Sequence, residues 1–206
     1  ILGISLSVGI LMTGQFQQDS INFMMHLRYI LSQRDDLTVV FNEPTSHRAL
    51  TELVSLPGVQ YGEPFRFVPV RLRFEHRSYR TLIWALEPDA SIRRLVDNDL
   101  QVIKLPPDGI ILNEYLATSI LHLKAGDRVV VETLDGRMRK ASLPVAGLIQ
   151  EDFGVSAYMS LQALNRLMQE GELISGASLY IDERYANEIY QQIKERPAIA
   201  AALIRQ

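Results

Sequence analysis

The chain has 206 residues, 47% of them hydrophobic, a formal net charge of −3 and no cysteine. That length and apolar content suffice for a real core in one or two domains. The mild acidity excludes the basic excess of a nucleic-acid surface, and the missing cysteines exclude disulfides, thiolate metal sites and a cysteine nucleophile.

Residues 1–16 (ILGISLSVGILMTGQF) carry no charge, and the first ionisable side chain is Asp19. A soluble core helix pairs an apolar stripe with a polar back. This segment has no charged face, and Gly3, Ser5, Ser7, Gly9 and Gly14 add small residues at helical spacings. It is somewhat shorter than the roughly 20 residues of a full span. The expectation is the outer end of a transmembrane helix in a fragment of a larger protein. Ile1, Leu2, Ile4, Leu6, Val8, Ile10, Leu11, Met12 and Phe16 would be embedded in lipid. A buried core helix is the competing reading. A signal peptide would need a basic n-region and a cleavage site, and neither is present. Ile21, Met24, Met25, Leu27 and Leu31 continue a three/four spacing, and no Gly or Pro falls between Gln15 and Asp35. One helix is therefore expected to leave the membrane and run on through residue 34, able to transmit motion across that boundary.

Residues 37–41 (LTVVF) read as a buried strand. Pro44 and Thr45 are expected to open a helix with Ala49, Leu50, Leu53 and Val54 inward, ended by Pro57-Gly58. Residues 59–65 are extended. Residues 69–86 read as a hairpin turning at Glu75-His76-Arg77-Ser78, where Val68, Val70, Leu72 and Phe74 alternate with polar residues. From Glu87 the texture changes to short strands and tight turns. Asn113 is expected to cap a short helix, Lys124–Asp127 to turn into strand 128–133, and Asp135-Gly136 to signal a hairpin. Pro144 marks the returning strand as an edge or a bulge. Ser160 is expected to cap a helix stopped by Gly171. Residues 177–181 read as a strand, Asp182 as the cap of a helix ended by Pro197, and 199–204 as extended.

Strand, Asn42, helix, Pro57, strand is echoed by strand, Asp182, helix, Pro197, strand, at the same interval. Two β-α-β units of one length suggest a split ferredoxin-like lobe. The fold class is α+β. Residues 1–34 are the membrane helix and its continuation, 35–86 plus 172–206 a discontinuous α/β lobe, and 87–171 an inserted β-rich lobe.

The search for chemistry is negative. There is no G-x-S-x-G elbow and no Gly-rich phosphate loop. His26, His47, His76 and His122 have no ligand spacing. Asp35-Asp36 and Glu151-Asp152 are adjacent carboxylates, and neighbours on a strand point apart. Arg66, Arg71, Arg73, Arg77 and Arg80 form a local basic cluster on the hairpin. It reads either as a contact for anionic headgroups or an acidic partner, or as a solvated face that discourages edge pairing. Phe65, Phe67, Tyr79 and Trp84 read as core.

Four segments, YRTLIWALEP (79–88), LPPDGIILNEYLA (105–117), LKAGDRVVVETLDG (123–136) and VAGLIQEDFGVSAYMSLQALNRL (145–167), resemble the extracytoplasmic domain of FtsX/MacB-like ABC-transporter permeases. The resemblance implies a porter-like α/β lobe and an inserted sabre-like lobe between the first two of four transmembrane helices. It places the domain on the periplasmic side of the bacterial inner membrane. It implies a dimeric or paired permease, a separate cytoplasmic ATPase that binds the ATP, and a periplasmic adaptor or lipoprotein partner. This chain would hold no cofactor and catalyse nothing. Its role would be mechanical coupling of ATP hydrolysis to export or extraction of a lipid, lipoprotein or hydrophobic molecule. The family's other branch transmits the same motion to a cell-wall hydrolase.

Overall fold

The computed structural model describes residues 35–97, 101–136, 138–151 and 155–204. The apolar run 1–16 and its expected continuation to residue 34 lie outside the described residues. Among the described residues no helix is long and apolar enough to cross a membrane.

Strand β1 (Leu37–Ser46) buries Leu37, Val39 and Phe41 and leaves Thr38 and Val40 half-buried, a period of two. It extends beyond the expected 37–41 and contains Pro44. Its register against strand β10 (Leu173–Ile181) breaks between Val40 and Thr45. The proline therefore sits in an irregular stretch of strand, where a missing N–H is tolerated, and opens no helix. Helix α1 (Arg48–Val54) begins after His47 and buries Leu50 and Leu53. Strand β2 (Val59–Phe74) then runs 16 residues without the expected break before Pro69. It turns at Glu75-His76 alone, with Glu75 at φ 51°, into β3 (Arg77–Leu86).

The short elements follow. They are β4 (Leu95–Val96), β5 (Val102–Ile103), β6 (Ile110–Asn113), a π-helical turn (Leu116–Leu121), β7 (Arg128–Thr133), β8 (Lys140–Ile149) and β9 (Ala157–Ser160). Asn113 starts the helical turn as expected, its Oδ1 accepting from the backbone N–H of Tyr115 and Leu116. Ser160 caps helix α2 (Leu161–Met168) by accepting from the Ala163 N–H. Gln169, in the left-handed conformation, ends that helix before Gly171 is reached. After β10, Asp182 caps a single 3₁₀ turn (Glu183–Tyr185) that leads into helix α3 (Ala186–Lys194) and strand β11 (Ile199–Ile204).

One sheet has the order β11-β1-β10-β2-β3-β9-β6-β8-β7, and β7 pairs again with β2. The first four strands are mutually antiparallel, with β1 and β10 central and β2 and β11 outside. Helices α1 and α3 cover one face, joining Leu50, Leu53, Ile189 and Ile193 to the core that contains Leu37, Val39, Leu179 and Ile181. The remaining strands, with the upper part of β2, close into a barrel filled by Val68, Val70, Leu72, Ile83, Leu112, Val129 and Val131. The long hairpin thus belongs to both parts, and the expected boundary after Leu86 falls at the end of a shared strand pair. Pro144 is not on an edge, because β8 pairs with both β6 and β7. The expected bulge lies beside it, where Ile110 faces Val145 but Ile111 faces Gly147.

Candidate functional site

The chain crosses from the four-stranded end to the barrel along β2, leaves β3 through Glu87, and returns through residues 169–172 into β10. Polar side chains fasten these crossings. Alternation along β2 puts Arg66 on the face of Val68, Val70 and Leu72, and it is 1% exposed. Its guanidinium donates to Asn165 Oδ1 on α2 and to Glu170 Oε2 just beyond that helix. A buried cation needs such partners to offset its lost hydration. Asn165 donates onward to the Leu173 carbonyl at 3.3 Å, the start of β10. Glu63 is 3% exposed and lies on the opposite face of β2. Its Oε1 accepts from the Ser91 N–H and hydroxyl (2.6 and 2.7 Å), and its Oε2 from the N–H groups of Ile92 and Arg93 (2.9 and 3.3 Å). That carboxylate clasps the segment leaving β3 to the four-stranded sheet.

Beyond the clasp, the Arg93 guanidinium lies 4.8 Å from the Trp84 ring centre and 5.3 Å from that of Phe65, within cation–π range. Phe67 and Trp84 are 5.4 Å apart. Tyr158 donates to Glu151 at 2.7 Å, and its own burial, with the Glu151 charge, pushes its hydroxyl well above the ordinary range.

Between the crossings opens a cleft of about 490 Å³, walled by Pro88, Leu161 and Ile174 and rimmed by His47, Glu87, Asp89, Arg166, Glu170 and Glu172. Partial burial pushes the Glu87 carboxyl up, His47 pulls it back, and Glu63 adds to the push.

No protein-family model matches the chain, and no curated protein matches it in sequence. Solved structures do match its fold, and two of them are informative. The crystal structure of the periplasmic region of MacB from Actinobacillus actinomycetemcomitans aligns with a TM-score of 0.56 at 11% identity, over 85% of this chain and 91% of that one. The extracellular domain of the ABC-type transporter YknZ from Gram-positive bacteria aligns with a TM-score of 0.50 at 10% identity, over 84% of this chain and 99% of that one.

The fold is that of the MacB periplasmic region. In this MacB-like fold the five hairpin arginines do not share one face. Arg66 turns inward and is removed from any surface contact. Arg77 lies on the same side at the hairpin tip, opposite Phe74. Arg71, Arg73 and Arg80 point outward from the barrel. Phe65, Phe67 and Trp84 pack together, while Tyr79 packs in the barrel on the other face. Asp36 accepts from the Ile181 N–H at 2.9 Å, and buried Asp35 accepts from Thr38, so this carboxylate pair ties down the entry to β1. His47 reaches the cleft, His76 sits in the exposed turn, and His122 ends the π-helical turn in the left-handed conformation. The nine side chains expected in lipid lie outside the described residues, as does His26.

The Glu87 shift gives a sign for pH dependence. A carboxyl with a raised folded-state pKa makes the folded chain bind the proton more tightly than the unfolded one. Its stabilising effect is complete below the unfolded value and is lost as pH rises through the folded value. Glu87→Gln removes that loss. The melting temperature of the variant should therefore gain on the wild type as pH rises from the unfolded carboxyl value, about 4.3, through the raised folded one. A difference between the two that stays constant across that range contradicts the assignment.

Proposed function

We propose that this chain is the extracytoplasmic domain of an ABC-transporter permease. In this reading it couples ATP hydrolysis in a separate cytoplasmic subunit mechanically to export or extraction of a lipid, lipoprotein or hydrophobic molecule. The observation that carries the reading is the MacB-like fold, with alignment over 85% of this chain and 91% of the other. Topology supports it. In this reading the strand order β11-β1-β10-β2 with its two β-α-β units makes the split ferredoxin-like, porter-like lobe, and the barrel would be the inserted sabre-like part. Leu37 pairs directly with Ile204, so both ends of the described chain leave from one end of the domain on adjacent strands. Two membrane helices attached there would hold the barrel away from the bilayer, on the periplasmic side of an inner membrane.

The seam suits force transmission. A displacement applied at β1 passes through β10 and β2 into the barrel, and the bonds of Arg66 and Glu63 hold the crossings as one packed unit. The chain itself is non-catalytic and cofactor-free in this reading, and ATP is bound by the partner ATPase. A second permease copy and a periplasmic adaptor or lipoprotein complete the assembly.

The full-length protein should fractionate with membranes and co-purify with a nucleotide-binding subunit. A soluble protein that retains no such subunit sinks the proposal. Inserting Gly-Gly beside Asn22 should leave ATPase activity in place and reduce export, with the melting temperature of the outer domain unchanged. If a cell-wall hydrolase or its activator is retained instead of an adaptor or lipoprotein, the chain belongs to the regulatory branch.

A further inference from the structure

The outer face of the barrel carries a concentration of positive charge that the composition hides. Registered pairs build a row across four strands. Arg80 on β3 lies opposite Arg71 on β2, Arg71 opposite Glu132 on β7, and Glu132 opposite Lys140 on β8. The next row toward the hairpin tip runs Ser78, Arg73, Val130, Ser142. Arg128 extends the face, its guanidinium pinned to Ser142 by bonds to the hydroxyl at 3.2 Å and the carbonyl at 2.6 Å. Arg71, Arg73, Arg80, Arg128 and Lys140 thus share one surface with a single carboxylate, Glu132, among the described residues. The whole chain is nevertheless acidic at −3. Glu75 stands in the β2–β3 turn and Asp135 in the β7–β8 loop, at the margins of this face.

Glu132 is already saturated. Partial desolvation opposes its ionisation, but hydrogen bonds from Lys140 and Arg73 and their charges outweigh that and hold its carboxyl below the ordinary range. Lys140 lies 3.4 Å from it, Arg73 3.2 Å and Arg71 3.7 Å. One negative charge cannot balance three cations, and Arg80 has no anionic partner among the described residues. Like charges in direct register, such as Arg71 and Arg80, are unfavourable on a sheet surface. Bringing further carboxylates to this face relieves that repulsion.

We infer that this face of the barrel binds an Asp/Glu-rich segment of a partner protein. Arg71 and Arg73 are two residues apart on one strand and point the same way, a spacing of about 7 Å. Alternate side chains of an extended acidic segment repeat at the same distance. Guanidinium groups match carboxylates in a planar two-bond geometry. The choice of a protein over an anionic membrane rests on the permease reading, through the position of the chain ends. Leu37 and Ile204 stand level with Gly62 on β2. Nine residues of strand separate Gly62 from Arg71, about 30 Å. That is nearly four Debye lengths of about 8 Å at physiological salt, so a membrane at the chain ends exerts no useful pull on this face.

The test uses the full chain held in neutral phosphatidylcholine nanodiscs and a fluorescein-labelled decaglutamate peptide, followed by anisotropy. Binding should weaken as salt is raised. Arg71→Gln/Arg80→Gln/Lys140→Gln should weaken it by about tenfold or more, from the size of three exposed charge pairs. Arg48→Gln/Arg184→Gln/Lys194→Gln removes equal charge from the four-stranded end and should change it by less than about threefold. Glu132→Gln frees cations and should tighten it, a gain that a merely structural role would not give. The inference is overturned if decaglutamate does not bind or if both triple variants bind it alike. It is also overturned if the basic face captures phosphatidylglycerol vesicles and not the peptide. Co-purification with an ATPase is measured separately, so failure of the permease reading is told apart from failure of this one.

Discussion

Replacing Glu170 with glutamine is expected to destabilise the domain by about 2–3 kcal/mol, read from the midpoint of denaturant unfolding. Breaking a buried ion pair from one side costs about 3–5 kcal/mol, because the other charge stays buried without its counter-charge. Here Arg66 is the buried member. Its side chain is 2% exposed and that of Glu170 29%, so water near the carboxylate lowers the cost. Asn165 still accepts from Arg66 in the variant, but a neutral amide does not balance a guanidinium. Adding Arg66→Met should recover part of the loss, since the unpaired charge goes and a similar volume stays. The recovery is incomplete because Asn165 Oδ1 then loses its donor. A double-mutant cycle should give a coupling above about 1 kcal/mol. Strict additivity would mean that the pair does not hold the seam.

The elements were legible where a local rule decides them. Asn113 and Ser160 announce their caps, Lys124–Asp127 its turn, and the alternation of 68–74 its strand. The two β-α-β units could be read from their strand–helix–proline rhythm. Pairing could not. Nothing in 128–133 says that it returns to β2 and closes a barrel, because partner choice is set by the packing of distant strands. Pro44 misled for a physical reason. The residue suits the first turn of a helix but also an irregular strand, and the register break after Val40 decided the matter. The arginine cluster was visible as a run, yet strand parity separates Arg66 from Arg71 and Arg73. That parity was available in the sequence, since Arg66 falls in step with Val68, Val70 and Leu72. Glu63 was available in the same way, in step with Phe65. Their partners, Glu170 and the Ser91–Arg93 backbone, lie far along the chain and carry no local signal. Lys140 and Arg128 reach the basic face only through pairing, since β7 lies beside β2 and β8 beside β7.

Gly176 gives the sharpest test of the sheet that joins the two parts. It sits on β10 between Val40 of β1 and Phe65 of β2. A Cβ added there would lie 2.3 Å from the Val39 carbonyl oxygen and 2.4 Å from Phe65 Cζ. The ring can turn aside, but the carbonyl belongs to a paired strand and cannot move alone. Gly176→Ala should therefore cost about 3 kcal/mol or more, at the upper end for overpacking a rigid site. Gly62, on the same sheet, is the control. Its added Cβ meets the end of the Leu179 side chain at 2.7 Å, which can rotate, so Gly62→Ala should cost under about 1.5 kcal/mol. Trp84 is the only tryptophan in the chain, and its ring centre lies 5.9 Å from that of Phe65. Displacing Phe65 should therefore change the tryptophan emission of Gly176→Ala and leave that of Gly62→Ala near wild type. Adding Phe65→Leu to Gly176→Ala removes the ring contact but not the carbonyl contact, so stability should return only in part. Full recovery would place the whole cost in the ring and show that the strands themselves can yield. That result would also undercut the seam as a path for force, since a sheet that parts this readily cannot carry a displacement from β1 to the barrel.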